Sequence, residues 1–568
     1  MTQQGGSYLR HPAFIGFAGL LLIVQYLRAS YGLDFSDEMQ YYGQVDALLE
    51  SGKLFTTDLF FQQSVYILIY PFIKIYDGLI GAEGVFYFVR LIMAALNIVV
   101  FVLAYRFSNR LGIAGVGAAG LALAMTFATT YHNIFSISYN TVSQFALGIF
   151  AICFLVNEQR SLRSAPVILL YVFLATISAF AHPLTALFIG FTTLGIWLYE
   201  REYKAVIWFM LGGSIGALCG AFIALQFADF DAYMNALRFS SGFGVGSVFA
   251  SDIPNIVTII VMPVGLLSAY FVKTKIPAVF FFYLFVVFLL AALGGWVFGL
   301  VRTGFGYIAL FFVLAMTGSL IAYLRHIKDL KASHNILLKN LFLLLIIFGL
   351  SNGLTSGTGS KSMFGPLLLI LPLLISLALC QFQLISAPKK ASLFLTAIPM
   401  LFFALMLSHW SNYPYRDARW YISTTQMPDH MAEFSGIHIS PEKYVFLEQA
   451  RETLSAFDNR KTLLTGNVPI LYFALNITPE TCMFFMHSIP NDQVNDVLEN
   501  CLKQKSTDQY IIAHNAGMYI QPRPFDAFLD SVFNVDKSSC VQKMIPRLEY
   551  SLGTKTDEKY MICQISDR

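Results

Sequence analysis

The sequence predicts an α-helical polytopic membrane protein with about thirteen transmembrane helices, followed by a soluble C-terminal α/β domain. Three observations predict it. Hydrophobic residues make up 56% of the 568 residues and charged residues only 12%, with mean hydropathy +0.62. Soluble domains carry about 25% charged residues, so a large soluble protein is excluded. Cations gather in alternate loops. And the composition turns polar near His409 and stays so. The net charge of +3 gives no reason to expect nucleic acid, because charge placement matters more than the sum.

A spanning helix needs about 20 mostly apolar residues. Candidates lie near 12–31, 84–105, 111–131, 139–156, 165–181, 184–199, 205–225, 254–272, 276–298, 304–324, 340–353, 363–383 and 391–408. The pair around His182-Pro183 nearly merges. The first run is long enough to span and lacks a small-residue cleavage site, so it reads as a retained helix.

With a cytoplasmic N-terminus, the inner loops hold Arg106 and Arg110, Arg160 and Arg163, Arg201 and Lys204, and Lys273 and Lys275. They also hold Arg325, Lys328, Lys331 and Lys339, then Lys389 and Lys390. Every inner loop is basic, as the positive-inside rule requires. Before residue 409 the outer side and outer span ends hold only Arg28, Lys53, Lys74, Arg90, Arg238, Arg302 and Lys361. An odd number of spans then places the tail outside, in a periplasm-like compartment. The expected location is an integral membrane protein of a bacterial inner membrane.

Residues 1–408 therefore form the transmembrane domain and 409–568 the exocytoplasmic one. In the tail, Lys461–Thr465 and Tyr510–Ala513 read as buried strands. Ser440–Ala450 reads as a helix capped by Ser440, with Lys443 where a capping-box acid would sit. Asn491–Lys503 reads as another helix. Of the seven cysteines, Cys153, Cys219 and Cys380 lie in spans and read as core residues. Cys482, Cys501, Cys540 and Cys563 lie in the tail, where an even count suggests two disulfides. Sequential pairing, Cys482–Cys501 and Cys540–Cys563, is one of three connectivities. Their spacing fits no common zinc pattern.

The first outer loop, residues 32–83, holds eight acids. At about fifty residues it is long for a connector, and long loops are usually functional or disordered. Gln40–Leu49 can form an amphipathic helix, and Phe60–Tyr76 is apolar enough to lie in the membrane interface. Asp34, Asp37 and Glu38 stand at the mouth of the first span. Ionisable groups at a membrane boundary cost free energy unless solvated or used. Their simplest reading is a solvated loop; the sharper one is a catalytic carboxylate held above the lipid.

Other polar groups sit at outer span ends. Tyr131–Asn140 links the third and fourth candidates, and Asn140 can be a helix cap or a ligand contact. His182 before Pro183 is a turn residue or a phosphate contact. Ser351–Met363 is a polar, glycine-rich loop between very apolar spans. Its backbone N–H groups could form an anion nest, and Lys361 adds charge; its spacing is not that of a Walker loop. Arg238 and Arg302 are span-end arginines of the kind that snorkel. Most of the 53 Phe and 29 Tyr read as lipid-facing or interfacial packing.

A first span, an Asp-Glu pair, a Tyr a few residues on, a short amphipathic helix, and a second span with an Arg near its outer end together resemble the GT-C superfamily of integral membrane glycosyltransferases. The resemblance is to the protein mannosyltransferase and aminoarabinose transferase type. The matching residues are Asp37-Glu38, Tyr41 or Tyr42, and Arg90 in Tyr87–Leu91. The likeness covers about residues 12–200. It departs where relatives carry a His- or Lys-Pro-Pro-Leu element; here stands Phe61-Gln-Gln-Ser-Val-Tyr66.

The resemblance implies a GT-C-like fold and transfer of a sugar from a polyprenyl-phosphate-linked donor to an extracytoplasmic glycan, glycolipid or protein acceptor. It implies inversion at the anomeric carbon, no nucleotide, and Asp37 as the base. The chemistry is consistent with the residues. A carboxylate beside an attacking hydroxyl serves as general base, and a departing lipid phosphate needs cations or hydrogen-bond donors. Arg90, Lys361 and His182 are the expected phosphate contacts, with Asn140 and Tyr42 as further substrate contacts. Asp34 could orient the acceptor. Glu38 could bind a sugar hydroxyl or a divalent metal, or both acids could be solvated. No cofactor and no dedicated metal site are expected. The tail could dock the acceptor or close the site.

The competing reading is a transporter or flippase of lipid-linked or small solutes. It calls for paired charges near mid-bilayer and broken helices in corresponding halves. The acids gather at one mouth instead.

Overall fold

The computed structural model describes residues 11–35, 37–56, 60–110, 115–128, 135–157, 165–199, 201–241, 420–454, 462–465, 469–476, 509–515, 534–535, 541–545 and 558–566. The candidate spans from 254 to 408, the glycine-rich loop with Lys361, Arg302, Cys380 and the Asn491–Lys503 helix lie outside them.

Helix α1 spans Pro12–Ser30. Its Pro12 needs no N–H partner at the first position, and His11 Nδ1 accepts from the Ala13 N–H at 3.2 Å. Helix α2 is Asp37–Ser51, with Asp37 and Glu38 in its first turn, where the helix dipole favours acids. A 3-10 helix, Phe61–Leu68, leads into α3, Tyr70–Ile80. The apolar helices follow: α4 Val85–Arg110, α5 Gly115–Ala128, α6 Tyr139–Asn157, α7 Ala165–Ala181, α8 Pro183–Tyr199 and α9 Tyr203–Phe227. The short α10, Phe230–Ser241, is amphipathic. Among the described residues, α1, α4 and α9 are long and apolar enough to cross a membrane. The expected first seven spans all appear as helices.

Helix α4 packs on α1, α5 and α6, and α7 on α6, α8 and α9. On α9, Gly212, Gly216 and Gly220 face α7; a Cβ at Gly216 would stand 2.7 Å from Thr176 Oγ1. Small residues at this spacing let spanning helices approach closely. The other side of α9 exposes Ile215, Leu218 and Phe222, as a lipid-facing surface requires.

The Phe60–Tyr76 expectation needs a correction in its first half. Residues Gln63–Ile67 of the 3-10 helix are buried, packed on α6, α7 and α10, and do not lie open in the interface. The Gln63 side chain accepts from the Phe55 N–H at 3.0 Å, which ties the turn inward. Helix α3 does show an apolar outer face, with Phe72, Ile75 and Leu79 exposed and Ile73 buried.

In the tail, strands β1 (Thr425–Gln426) and β2 (His438–Ile439) pair antiparallel. The tail helix is Pro441–Leu454, and a short helix covers Ile470–Ala474. A second sheet holds β3 Thr462–Thr465, β4 Gln509–Asn515, β5 Asn534–Val535, β6 Val541–Ile545 and β7 Glu558–Ser566. Its order is β3-β4-β7-β5, with β6 also on β7; β3 and β4 run parallel and the other pairs antiparallel. The two strands expected from sequence are thus neighbours. Cys482, Cys501 and Cys540 lie outside the described residues, and Cys563 sits in β7 opposite Ile512.

One buried apolar cluster joins the first outer loop to the tail. It runs from Ala29, Leu33 and Phe35 through Tyr42, Val85 and Phe86 to Phe434, Phe446 and Leu471. Tyr42 meets Phe86, Phe434 and Phe473 at ring-centroid distances of 5.1, 5.3 and 5.3 Å. Backbone bonds reinforce it: the Gly32 N–H donates to the His438 carbonyl and the Gly84 N–H to that of Ala432. The tail segments Trp420–Leu454 and Pro469–Asn476 are therefore seated directly on the acidic loop.

Candidate functional site

The three acids at the mouth of α1 divide by burial and bonding. Asp34 is 3% exposed and caps α2: its Oδ2 accepts from the N–H of Asp37 at 2.9 Å and of Glu38 at 3.3 Å. Glu38 Oε2 accepts in return from the Asp34 N–H at 3.3 Å. The exchange satisfies helix-end donors from both sides, as a capping box does.

Glu38 is 2% exposed and forms an ion pair with Arg90, which lies one and a half turns into α4. Arg90 Nε donates to Oε1 at 3.0 Å and Nη2 to Oε2 at 2.8 Å. Its remaining donors reach the C-terminal end of α1: Nη1 to the carbonyls of Ala29 (2.9 Å) and Arg28 (3.4 Å), and Nη2 to that of Gly32 (2.9 Å). Gly32 turns the chain there with φ 87, a conformation favourable to glycine. A guanidinium has five N–H donors, and these five bonds engage them all. The expected phosphate contact by Arg90 therefore gives way to a structural role: it ties α1, α2 and α4 together. Glu38 is likewise committed to that tie. Arg28, a cation the sequence reading left unassigned, lies buried beside the pair, its Cζ 4.8 Å over the Phe135 ring.

Asp37 alone of the three acids keeps partial exposure. Around it the fold gathers side chains from distant positions. Tyr139, the first residue of α6, lies close enough to feel the Asp37 charge, and the side chains of Tyr41 and Asn140 lie beside its hydroxyl. Tyr41 meets Tyr139 edge-on at 6.0 Å, and His182 meets it edge-on at 5.0 Å. The sequence candidates Asp37, Asn140 and His182 thus converge on Tyr139, which sequence reasoning missed. Asn140 is not the cap of α6. Ser138 is, with the Thr141 N–H donating to Ser138 Oγ at 3.3 Å and Thr141 Oγ1 accepting from the Ser138 N–H at 2.8 Å.

His182 sits at the turn between α7 and α8, 4% exposed, and burial lowers its pKa to about 4. It is neutral at pH 7, so it can offer a phosphate a hydrogen bond but no charge. Tyr42, the other candidate tyrosine, is 2% exposed within the aromatic cluster under the tail and acts as a core residue. Of the Tyr41-or-Tyr42 alternative, Tyr41 faces the site. Arg238 is exposed in the last turn of α10.

Among solved structures, the chain is similar to the crystal structure of ArnT from Cupriavidus metallidurans bound to undecaprenyl phosphate. The superposition is loose, with TM-score 0.38 and 12% identity over 97% of each chain. No family model and no curated protein matches the sequence. The chemistry of the site is therefore taken from its own residues. Among the described residues no group of three His, Cys, Asp or Glu side chains could hold a metal ion.

Proposed function

We propose that the protein is a membrane glycosyltransferase that moves a sugar from a polyprenyl-phosphate-linked donor to an extracytoplasmic acceptor, with Asp37 as general base. One observation carries the reading. Asp34 and Glu38 are absorbed by the cap and the Arg90 pair, while Asp37 stays partly exposed beside a polar group drawn from α2, α6 and the α7–α8 turn. A partly exposed carboxylate in the first turn of a helix, near a tyrosine that amide and imidazole groups flank, is suited to take a proton from a sugar hydroxyl. Direct displacement then inverts the anomeric carbon, and the lipid phosphate leaves.

Tyr139, Tyr41 and Asn140 supply donors and acceptors suited to sugar hydroxyls. His182 donates to the donor phosphate, and Lys361 adds the positive charge that Arg90 does not present. The acceptor is a glycan, glycolipid or protein on the outer face of a bacterial inner membrane, under the tail. The test is to incubate the purified protein with a panel of polyprenyl-phosphate sugars and measure release of free lipid phosphate. Release from at least one donor, lost in Asp37→Asn, is expected. No release from any donor would remove the reading.

A further inference from the structure

The tail helix opens in an unusual way. Ser440 caps it, accepting from the Lys443 N–H at 3.4 Å. A capping box would place Glu or Gln at position 443; the sequence has Lys. That side chain turns away from its own helix and is buried. Its ammonium donates to the Leu33 carbonyl and sits 4.5 Å over the Phe35 ring. Burying an ammonium is costly unless it is bonded, so tail packing alone would be better served by Leu or Met.

The bonded atom gives the reason. The Leu33 carbonyl and the Asp34 N–H belong to one planar peptide unit. That N–H donates to Glu38, and the Asp34 carboxylate caps the turn that carries Asp37. The tail grips this stretch repeatedly: Tyr31 bridges to His438 and stacks on its ring at 4.9 Å, and the Gly32 N–H donates to the His438 carbonyl.

We infer that Lys443 is a positioning residue for Asp37: its ammonium, reaching across from the tail, fixes the Leu33–Asp34 peptide plane and through the Asp34 cap the first turn of α2. The inference deepens the glycosyltransferase reading and rests on it for Asp37's role. It makes the seated tail part of the site's geometry as well as a cover.

Lys443→Met and Lys443→Arg in the full-length protein test it with two readouts. Residue-resolved hydrogen exchange should show the Asp37 and Glu38 amides about tenfold faster in Lys443→Met, while the amides of the tail helix from Tyr444 to Leu454 keep their protection. With a donor that the wild type turns over, Lys443→Met should lower kcat about tenfold and leave donor KM within about twofold. Lys443→Arg, which keeps a donor, should restore both readouts. Unchanged exchange at Asp37 and Glu38 would overturn the inference, and so would unchanged kcat. Loss of protection throughout the tail helix would also overturn it, since Lys443 would then serve tail folding. If the wild type turns over no donor, the glycosyltransferase reading fails separately, and exchange alone decides the hold of Lys443 on α2.

Discussion

Arg90 and Asp37 show how burial separates structure from chemistry at single residues. Arg90 gives five hydrogen bonds to Glu38 and to three carbonyls at the end of α1. Removing one partner of a buried pair typically costs about 3–5 kcal/mol, because the other charge is left uncompensated. Arg90→Met should therefore lower stability by about that amount, read as a fall in the thermal midpoint. The double variant Glu38→Leu/Arg90→Met should recover part of it, but not all, since the Ala29 and Gly32 carbonyls still lose their donor. An Arg90→Met protein as stable as wild type would show that the pair does not hold the three helices. Asp37→Asn should behave in the opposite way. A positioned general base contributes about 10²–10⁴-fold, while a lost charge at a helix N-terminus costs only about 0.3–1 kcal/mol. Turnover should drop to that extent with the thermal midpoint nearly kept; wild-type turnover would remove Asp37 as the base. Asp37, Asn140 and His182 stood out as candidates in the sequence because polar residues at outer span ends are rare and conspicuous. The commitment of Arg90 to Glu38 could not, since a pairing across 52 positions leaves no local pattern. Tyr139 was hidden for a simpler reason: in a chain with 29 tyrosines one more at a span end carries no signal.

At the scale of elements, α2 is a bridge between the membrane helices and the tail, and its middle carries a second group of acids. Asp46 lies in α2 near Glu50 and Glu433, and burial first, then those two charges, raises its pKa to about 7. Burial also raises that of Glu433. The sign follows from linkage. An unfolded Asp titrates near 3.9, so between about pH 4 and 7 the folded protein holds a proton that the unfolded chain has lost. Stability from Asp46 is full below about pH 4 and is lost as pH rises through about 7. Thermal unfolding measured across this window should show a declining midpoint, and Asp46→Asn should flatten the decline and stabilise the protein at pH 7.5. An equal slope in Asp46→Asn would refute the assignment. The elements themselves were legible where a single physical rule governs them. Long apolar runs gave α1 and α4 to α9 close to their observed bounds, and the Ser440 cap marked the tail helix. The interval from Phe60 to Tyr76 was only half legible: composition shows that it is apolar, but not that Gln63 and Ser240 bond its first part into the interior. Lys443 was legible as an anomaly, a base at the position of a capping acid, whose partner only the fold reveals.

For the whole molecule, the two ends of the helix bundle differ in chemistry. At one end lie the N-termini of α2, α4 and α6, the α7–α8 turn and the tail, joined through a continuous apolar core. At the other, Arg106 near the end of α4, Arg201 between α8 and α9 and Lys204 in the first turn of α9 are exposed. Cations are retained on the cytoplasmic side of spanning helices, and on that rule we propose that the acidic loop, the Asp37 site and the tail face outward together. In that orientation the exposed apolar face of α3 can rest in the membrane interface. The orientation predicts a labelling pattern. Val445 on the tail helix and Tyr203 at the start of α9 are both exposed. In intact cells, a thiol reagent that cannot cross the inner membrane should modify Val445→Cys. It should reach Tyr203→Cys only after that membrane is opened, with peptide mass mapping separating the new thiols from the native ones. Labelling of Tyr203→Cys alone in intact cells would invert the molecule, put the carboxylate site in the cytoplasm, and leave an extracytoplasmic acceptor with no access to Asp37.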